Sequence, residues 1–255
     1  MLLAIDIGNT LITAGLWDGQ NWRLQWRLRT IRDQTVDEYG IYMKMLLREV
    51  DLADAVDRVI FSSVVPSLTR TFDAVCRRYL NLTPLQVTAE TDTGIRVATE
   101  RPSEVGADRI VNAAAAYHLY PGASIIVDMG TATTLDVVSE DGALLGVIIV
   151  PGLEVAADAL TGRAAQLSRV ALEAPPHVLG RNTTHAIQSG LVFGYTSLVE
   201  GLVQRLRDEV QLPDAPVVAT GGLVNVIAEH TDIVDHLEPW LTLTGLRLIS
   251  QRAER

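Results

Sequence analysis

The sequence predicts an α/β fold built from two related halves, each with a mixed sheet. Three observations lead there. Short apolar and β-branched runs alternate with longer segments of helical period, the pattern of strands and helices packed in layers. The stretch Ile5-Asp6-Ile7-Gly8-Asn9-Thr10 has a counterpart about half the chain later, Val127-Asp128-Met129-Gly130-Thr131-Ala132. Both copies then lead into the same succession of a strand, an Asp-Gly turn (Asp18-Gly19 and Asp141-Gly142) and another strand. Self-similarity of this kind marks a duplicated architecture. The expected domains are 1–115 and 116–255.

The elements follow in order. Leu2–Ile5 is a short apolar run that stops at Asp6. Ile12–Trp17 is a strand, Asp18-Gly19 a hairpin turn, and Trp22–Thr30 alternates apolar and polar residues like a strand. Thr35, with Glu38 three residues on, forms a capping box. It opens a helix through Val50 with Met43, Leu46, Leu47 and Val50 on one face. Arg58–Ser63 is a buried strand, Pro66 starts a helix to about Leu80, and Leu85–Thr88 is another strand. Asp92–Glu104 has no period and contains Gly94 and Pro102, so it reads as a loop. Val105–Tyr120 is Ala-rich and helical. The second half repeats the strands at Ser124–Val127, Thr133–Val138 and Leu144–Val150, the last ended by Pro151-Gly152. A helix near Leu153–Thr161, a loop with Pro175-Pro176 and a long helix from about Thr183 to Val210 come next. Pro216–Ala219 is a strand leading into Thr220-Gly221-Gly222, and Leu243–Gln251 is a final helix.

Composition narrows the function. The net charge of −10 argues against a nucleic-acid partner, which demands clustered Lys and Arg. The single cysteine, Cys76, forbids an internal disulfide and reads as a packing residue. No secretory leader is expected at Met1-Leu2-Leu3-Ala4, and the longest apolar run, Ala143 to Leu153, falls short of a membrane span. A soluble cytoplasmic protein with no membrane partner is expected.

The two acidic turns carry the chemistry. Glycine lets backbone approach a phosphate closely, and N–H groups and Thr hydroxyls can donate to phosphate oxygens. An aspartate cannot face a bare phosphate, so Asp6 and Asp128 imply a cation between them and it, typically Mg²⁺ held through water. A hairpin turn with a capping Asp would explain one copy, but two copies at matching positions favour turns that face each other across a nucleotide cleft. Thr220-Gly221-Gly222 suits a close approach to a nucleoside, or an ordinary strand-to-helix turn. Gly106-Ala107-Asp108-Arg109 offers a base in Asp108 and an anion-binding Arg109. It also reads as an Asp-Arg pair in the first turn of a helix.

The layout resembles the superfamily of actin, Hsp70 chaperones and sugar kinases, which implies the actin-like (ribonuclease H-like) fold in both halves. Four blocks then resemble the type III pantothenate kinases: Asp6–Thr10, Glu104–Ile110, Asp128–Thr134 and Asn182–Gly190. The resemblance implies transfer of the ATP γ-phosphate to the terminal hydroxyl of pantothenate, the first step towards coenzyme A. It implies Asp108 as general base and Gly106, Ala107, Asp108, Arg109 and Thr183 as pantothenate contacts. Asp6, Ile7, Gly8, Asn9, Thr10, Leu11, Ile12 and Thr13 would form the first ATP loop, joined by Thr131. Asp6 would help to place Mg²⁺, and Asp128 would bind a monovalent cation, K⁺ or NH₄⁺. The family is homodimeric. Two departures stand out: Val147 replaces the second glycine of the family's Gly-Gly-x-Ile-x-Pro-Gly, and Thr99 and Arg101 precede Pro102 where an aromatic residue and Asn are common. A non-enzymatic, metabolite-sensing regulator of the same fold is the alternative that Val147 raises. An actin-like filament or chaperone ATPase is a further one, for which the chain is short.

Overall fold

The computed structural model describes residues 1–50, 52, 55–164 and 167–254. They form two units: Met1–His118 together with the C-terminal segment from Leu241, and Leu119–Trp240. In the first unit β1 (Leu2–Ile7) pairs antiparallel with β2 (Leu11–Trp17), and β2 with β3 (Trp22–Arg29). On its other edge β1 pairs in parallel with β4 (Arg58–Ser63), and β4 with β5 (Leu85–Gln86). The order is therefore β3-β2-β1-β4-β5. A central strand is covered on both faces, which is why β1 is a continuous apolar run up to Asp6 rather than an alternating one.

The parallel step from β3 to β4 requires a crossover, and α1 (Val36–Arg48) supplies it. Its capping box forms as the sequence predicts: Glu38 N donates to Thr35 Oγ1 at 3.3 Å, and Thr35 N donates to Glu38 Oε2 at 2.8 Å. The buried face is Tyr39, Gly40, Met43 and Leu47, turned slightly from the expected one. Leu46 and Val50 are only half-buried, because Tyr39 is drawn inward by its ring contact with Phe72, 4.9 Å between centroids. α2 (Pro66–Val75) continues as a π-helical turn over Cys76–Leu80 and stops at Asn81, whose φ of 57° no helix can carry on from. Residues of α1 and α2 pack on the sheet face made by Leu3, Ile5, Ile7, Ile12 and Leu16. The stretch expected as a loop contains a two-residue strand, β6 (Arg96–Val97), and a 3₁₀ turn at Pro102–Glu104 before α3 (Ala107–Leu119).

The second unit repeats the plan. Its strands β7 (Ser124–Met129), β8 (Ala132–Val138), β9 (Ala143–Pro151), β10 (Val217–Thr220) and β11 (His236–Leu237) lie in the order β9-β8-β7-β10-β11, with the same parallel and antiparallel steps. Helices α4 (Leu153–Arg163), α5 (Thr183–Glu209) and α6 (Val224–Ala228) complete it. Ile187, Leu191, Tyr195 and Val199 of α5 bury Ile125, Val127, Leu135 and Val217. β11 and α6 are absent from the sequence reading, since elements of two and five residues leave no period to detect. α5 is long, but no helix among the described residues is long and apolar enough to cross a membrane.

The last helix, α7 (Leu241–Arg252), returns to the first unit and packs on β1, β2 and β4. The division at 116 expected from the sequence left this helix with the second half. Bare glycines admit α7. A Cβ at Gly15 would meet Leu243 Cδ1 at 2.9 Å, and one at Gly245 would stand 2.3 Å from the Val111 carbonyl of α3. Thr242 Oγ1 adds a hydrogen bond to Asn112 Oδ1 at 2.8 Å.

Gly245→Ala forces α7 off α3 and should lower unfolding free energy by about 1–3 kcal/mol, read from the urea midpoint. Cys76 is fully buried, and burial pushes its thiol up to about 12. It should therefore react with a thiol reagent at pH 8 only after denaturation.

Candidate active site

The first acidic turn joins β1 to β2. Gly8 N donates to Leu11 O at 3.0 Å, closing the turn. A Cβ at Gly8 would press on that same carbonyl at 2.9 Å. Asn9, Thr10 and Leu11 are exposed at its tip. Ile7 and Ile12 are fully buried, so they can meet a nucleotide only through backbone. Asp6 lies opposite Thr13 of β2 and Ser62 of β4. The buried Ser62 Oγ donates to Asp6 Oδ1 at 2.7 Å, which holds one carboxylate oxygen in place.

The Gly106–Arg109 block lies in the same unit and is tied to that turn through Val64. Val64 N donates to Ile7 O at 3.1 Å, and a Cβ at Gly106 would stand 3.4 Å from Val64 Cγ1. The same added atom would come 2.5 Å from Asp108 Oδ1, so glycine is what lets the Asp108 carboxylate fold back over the helix start. There it accepts a hydrogen bond from Arg109 N at 2.8 Å. Asp108 and Arg109 are partly exposed, with side chains 23% and 15% accessible, and Arg109 Nη2 lies 3.9 Å from Asp108 Oδ2. A carboxylate and a guanidinium thus stand together at the N-terminal end of a helix, where an anionic group is favoured.

The second turn, between β7 and β8, is held by two glycines from elsewhere. A Cβ at Gly152 would meet Thr131 O at 2.3 Å, and one at Gly221, whose φ is +101°, would meet Met129 N at 2.5 Å. Thr131 is exposed and Asp128 half-buried. Asp128 lies opposite Thr134 and Thr220, the positions that Thr13 and Ser62 take beside Asp6. Thr183 opens α5, capped by Asn182, whose Oδ1 accepts from His185 N at 2.8 Å. It lines a cavity of about 740 Å³ with Leu160, Leu167, Arg181, Asn182 and Ala186.

The sequence reading missed Ser62, and took Thr220 only as part of the Thr220-Gly221-Gly222 turn, not as the neighbour of Asp128. A hydroxyl residue ends the apolar run of β4 and of β10 alike, and that shared position was the available signal. Among the described residues no group of three or more His, Cys, Asp or Glu could hold a metal ion. One carboxylate per turn fits a cation that arrives with the phosphates and keeps most of its water.

The duplicated sheet order with an acidic glycine turn in each copy defines a protein of the actin-like ATPase and sugar-kinase fold. A crystal structure described as a Baf family transcriptional activator from Campylobacter jejuni superposes with a TM-score of 0.65 at 18% identity, covering 99% of this chain and 98% of that one. An inorganic polyphosphate/ATP-glucomannokinase from an Arthrobacter strain does so at 0.51 and 14%, covering 100% and 99%. These likenesses concern the fold. A family model, type III pantothenate kinase, matches residues 2–205. A type III pantothenate kinase from Exiguobacterium is 45% identical over 256 residues, covering 100% of both chains. The chain belongs to the type III pantothenate kinase family.

Replacing Ser62 by Ala should lower kcat/KM for phosphoryl transfer about tenfold and stability by about 1–2 kcal/mol. Ser62→Thr, which keeps the hydroxyl, should recover most of both. Steady-state assays and a urea melt on the two variants check this.

Proposed function

We propose that this chain transfers the γ-phosphate of ATP to the terminal hydroxyl of pantothenate, giving 4′-phosphopantothenate, the first step of coenzyme A biosynthesis. The observation that carries the reading is the Gly106–Arg109 block joined through Val64 to the Asp6 turn. It sets a carboxylate and a guanidinium beside the first acidic glycine turn, which supports a base and an anion site next to a phosphate loop.

In this reading Asp108 accepts the proton of the pantothenate hydroxyl as its oxygen attacks the γ-phosphorus, and ADP leaves with the former bridging oxygen. Gly106, Ala107, Arg109 and Thr183 bind pantothenate, Arg109 suiting its carboxylate by charge and fork geometry. The backbone of residues 6–13 and the hydroxyls of Thr10, Thr13 and Thr131 bind phosphate. Asp6 would hold Mg²⁺ through water, and Asp128 a monovalent cation, K⁺ or NH₄⁺. These ions, when bound, offset charge on the phosphates as it shifts in the transition state.

The working form proposed is a cytoplasmic homodimer without nucleic-acid or membrane partners. The net charge of −10 supports the lack of a nucleic-acid partner. An exposed apolar row on β9, Leu145, Val147 and Ile149, supports self-association; Ile149 is 62% exposed. Val147 belongs to that outward row, opposite Asp136 of β8, so it gives no ground for a regulator without catalysis. Asp6, Asp108, Arg109 and Asp128 are all present.

Asp108→Asn should lower kcat by about 10²–10⁴ with an unchanged circular dichroism spectrum, in a coupled assay at millimolar ATP with K⁺. Absence of turnover by the unaltered protein under those conditions would sink the reading. Asp128→Asn should abolish stimulation by K⁺ while leaving the residual rate in Na⁺ buffer nearly unchanged.

A further inference from the structure

Neither acidic turn carries a cation of its own. Residues 6–13 and 128–134 contain no Lys or Arg, and the chain has a net charge of −10. A nucleotide triphosphate brings several negative charges, and phosphoryl transfer depends on neutralising them. The first unit supplies positive charge beside its turn. β3 pairs with β2 so that Arg29 lies opposite Leu11 and Arg27 opposite Thr13. Because Thr13 in turn lies opposite Asp6, this register puts both arginines on the sheet face that carries Asp6. The matching places on β9, opposite Ala132 and Thr134, hold Pro151 and Ile149.

The chain leaving β3 is then laced onto the turn. Thr30 Oγ1 donates to Gly8 O at 2.7 Å and Thr30 N to Thr10 O at 2.9 Å. Two residues on, Arg32 Nη2 donates to Asn9 Oδ1 at 3.0 Å. Residues 29–32 therefore track residues 8–11, and the guanidinium of Arg32 sits at the exposed tip of the turn. Arg29 and Arg32 are both exposed, and among the described residues neither has a carboxylate within ion-pair distance. An arginine anchored by one nitrogen keeps its other donors in a fixed plane suited to phosphate oxygens.

We infer that Arg32, with Arg29 beside it, is a ligand of the β- and γ-phosphates of the nucleotide and supplies the charge that the first turn lacks. The inference rests on the reading of that turn as the ATP loop. Arg27, which has other contacts, is left out of it.

The test is a proton-NMR titration of the full chain with ATP and with AMP at fixed free Mg²⁺, with a thermal melt of each variant. Arg32→Ala should weaken ATP about tenfold, as loss of a charge-assisted hydrogen bond does, and leave AMP unchanged because it lacks the outer phosphates. Arg29→Ala should weaken ATP less, and Arg32→Lys should keep part of the affinity. Arg48→Ala, an exposed arginine in the last turn of α1, is the control and should bind ATP as the unaltered protein does. If the unaltered protein binds ATP and Arg32→Ala binds it equally well, or loses ATP and AMP alike, the inference is overturned. If the unaltered protein binds no ATP at tens of millimolar, the nucleotide reading itself falls, and the inference with it.

Discussion

A carboxylate stands at the end of a fully buried strand in each half of this chain, and that placement constrains nearly everything around it. Leu2 to Ile5 have almost no exposed surface, so the chain reaches Asp6 straight from the core. A charge at such a depth is costly unless polar partners meet it. The parallel neighbour meets it: β4 brings Ser62 level with Asp6, and its hydroxyl closes on Oδ1. For β4 to lie there, the chain must leave β3, cross over through α1 and return parallel to β1. The sheet order is thus tied to the partner of one aspartate. The second half repeats the arrangement with Thr220 level with Asp128.

Once the aspartate is held, the residues after it are committed to a tight turn. Gly8 admits the Leu11 carbonyl, while Gly152 and Gly221 allow other backbone to press against the second turn. Glycine has the same role at position 106, where it lets a carboxylate fold over the start of α3. In each case the side chain is missing because backbone or a charged group needs its volume. Gly221 in addition holds a φ of +101°, which L side chains rarely adopt.

The two halves share topology but differ in chemistry. The first sheet presents Arg27 and Arg29 at the places where the second presents Ile149 and Pro151. The third strand of the first sheet is cationic and exposed, and its counterpart in the second is apolar and exposed. The two copies share the backbone plan that holds an acidic turn, and β3 and β9, which carry no part of that turn, differ in chemistry. In the reading proposed here, one came to serve the nucleotide and the other a second copy of the chain.

Local signals were enough for most elements, because capping residues, Asp-Gly turns and apolar runs act over a few positions. The capping box at Thr35, the strand Arg58–Ser63 and the helix that runs on to Leu80 all lie where the sequence puts them. β6, β11 and α6 were invisible, since such short elements exist only through the neighbours they meet. Among candidate site residues, the acidic turns and the Gly106–Arg109 block were legible as motifs. Ser62 and Arg32 were not. The sequence by itself determined the two-fold plan and the residues proposed to handle phosphate, because both are written in short contiguous stretches. Only the tertiary structure decided which distant side chains stand beside those stretches. That depends on strand register and on the return of α7 to the first unit, and both are set by packing between segments far apart in the chain.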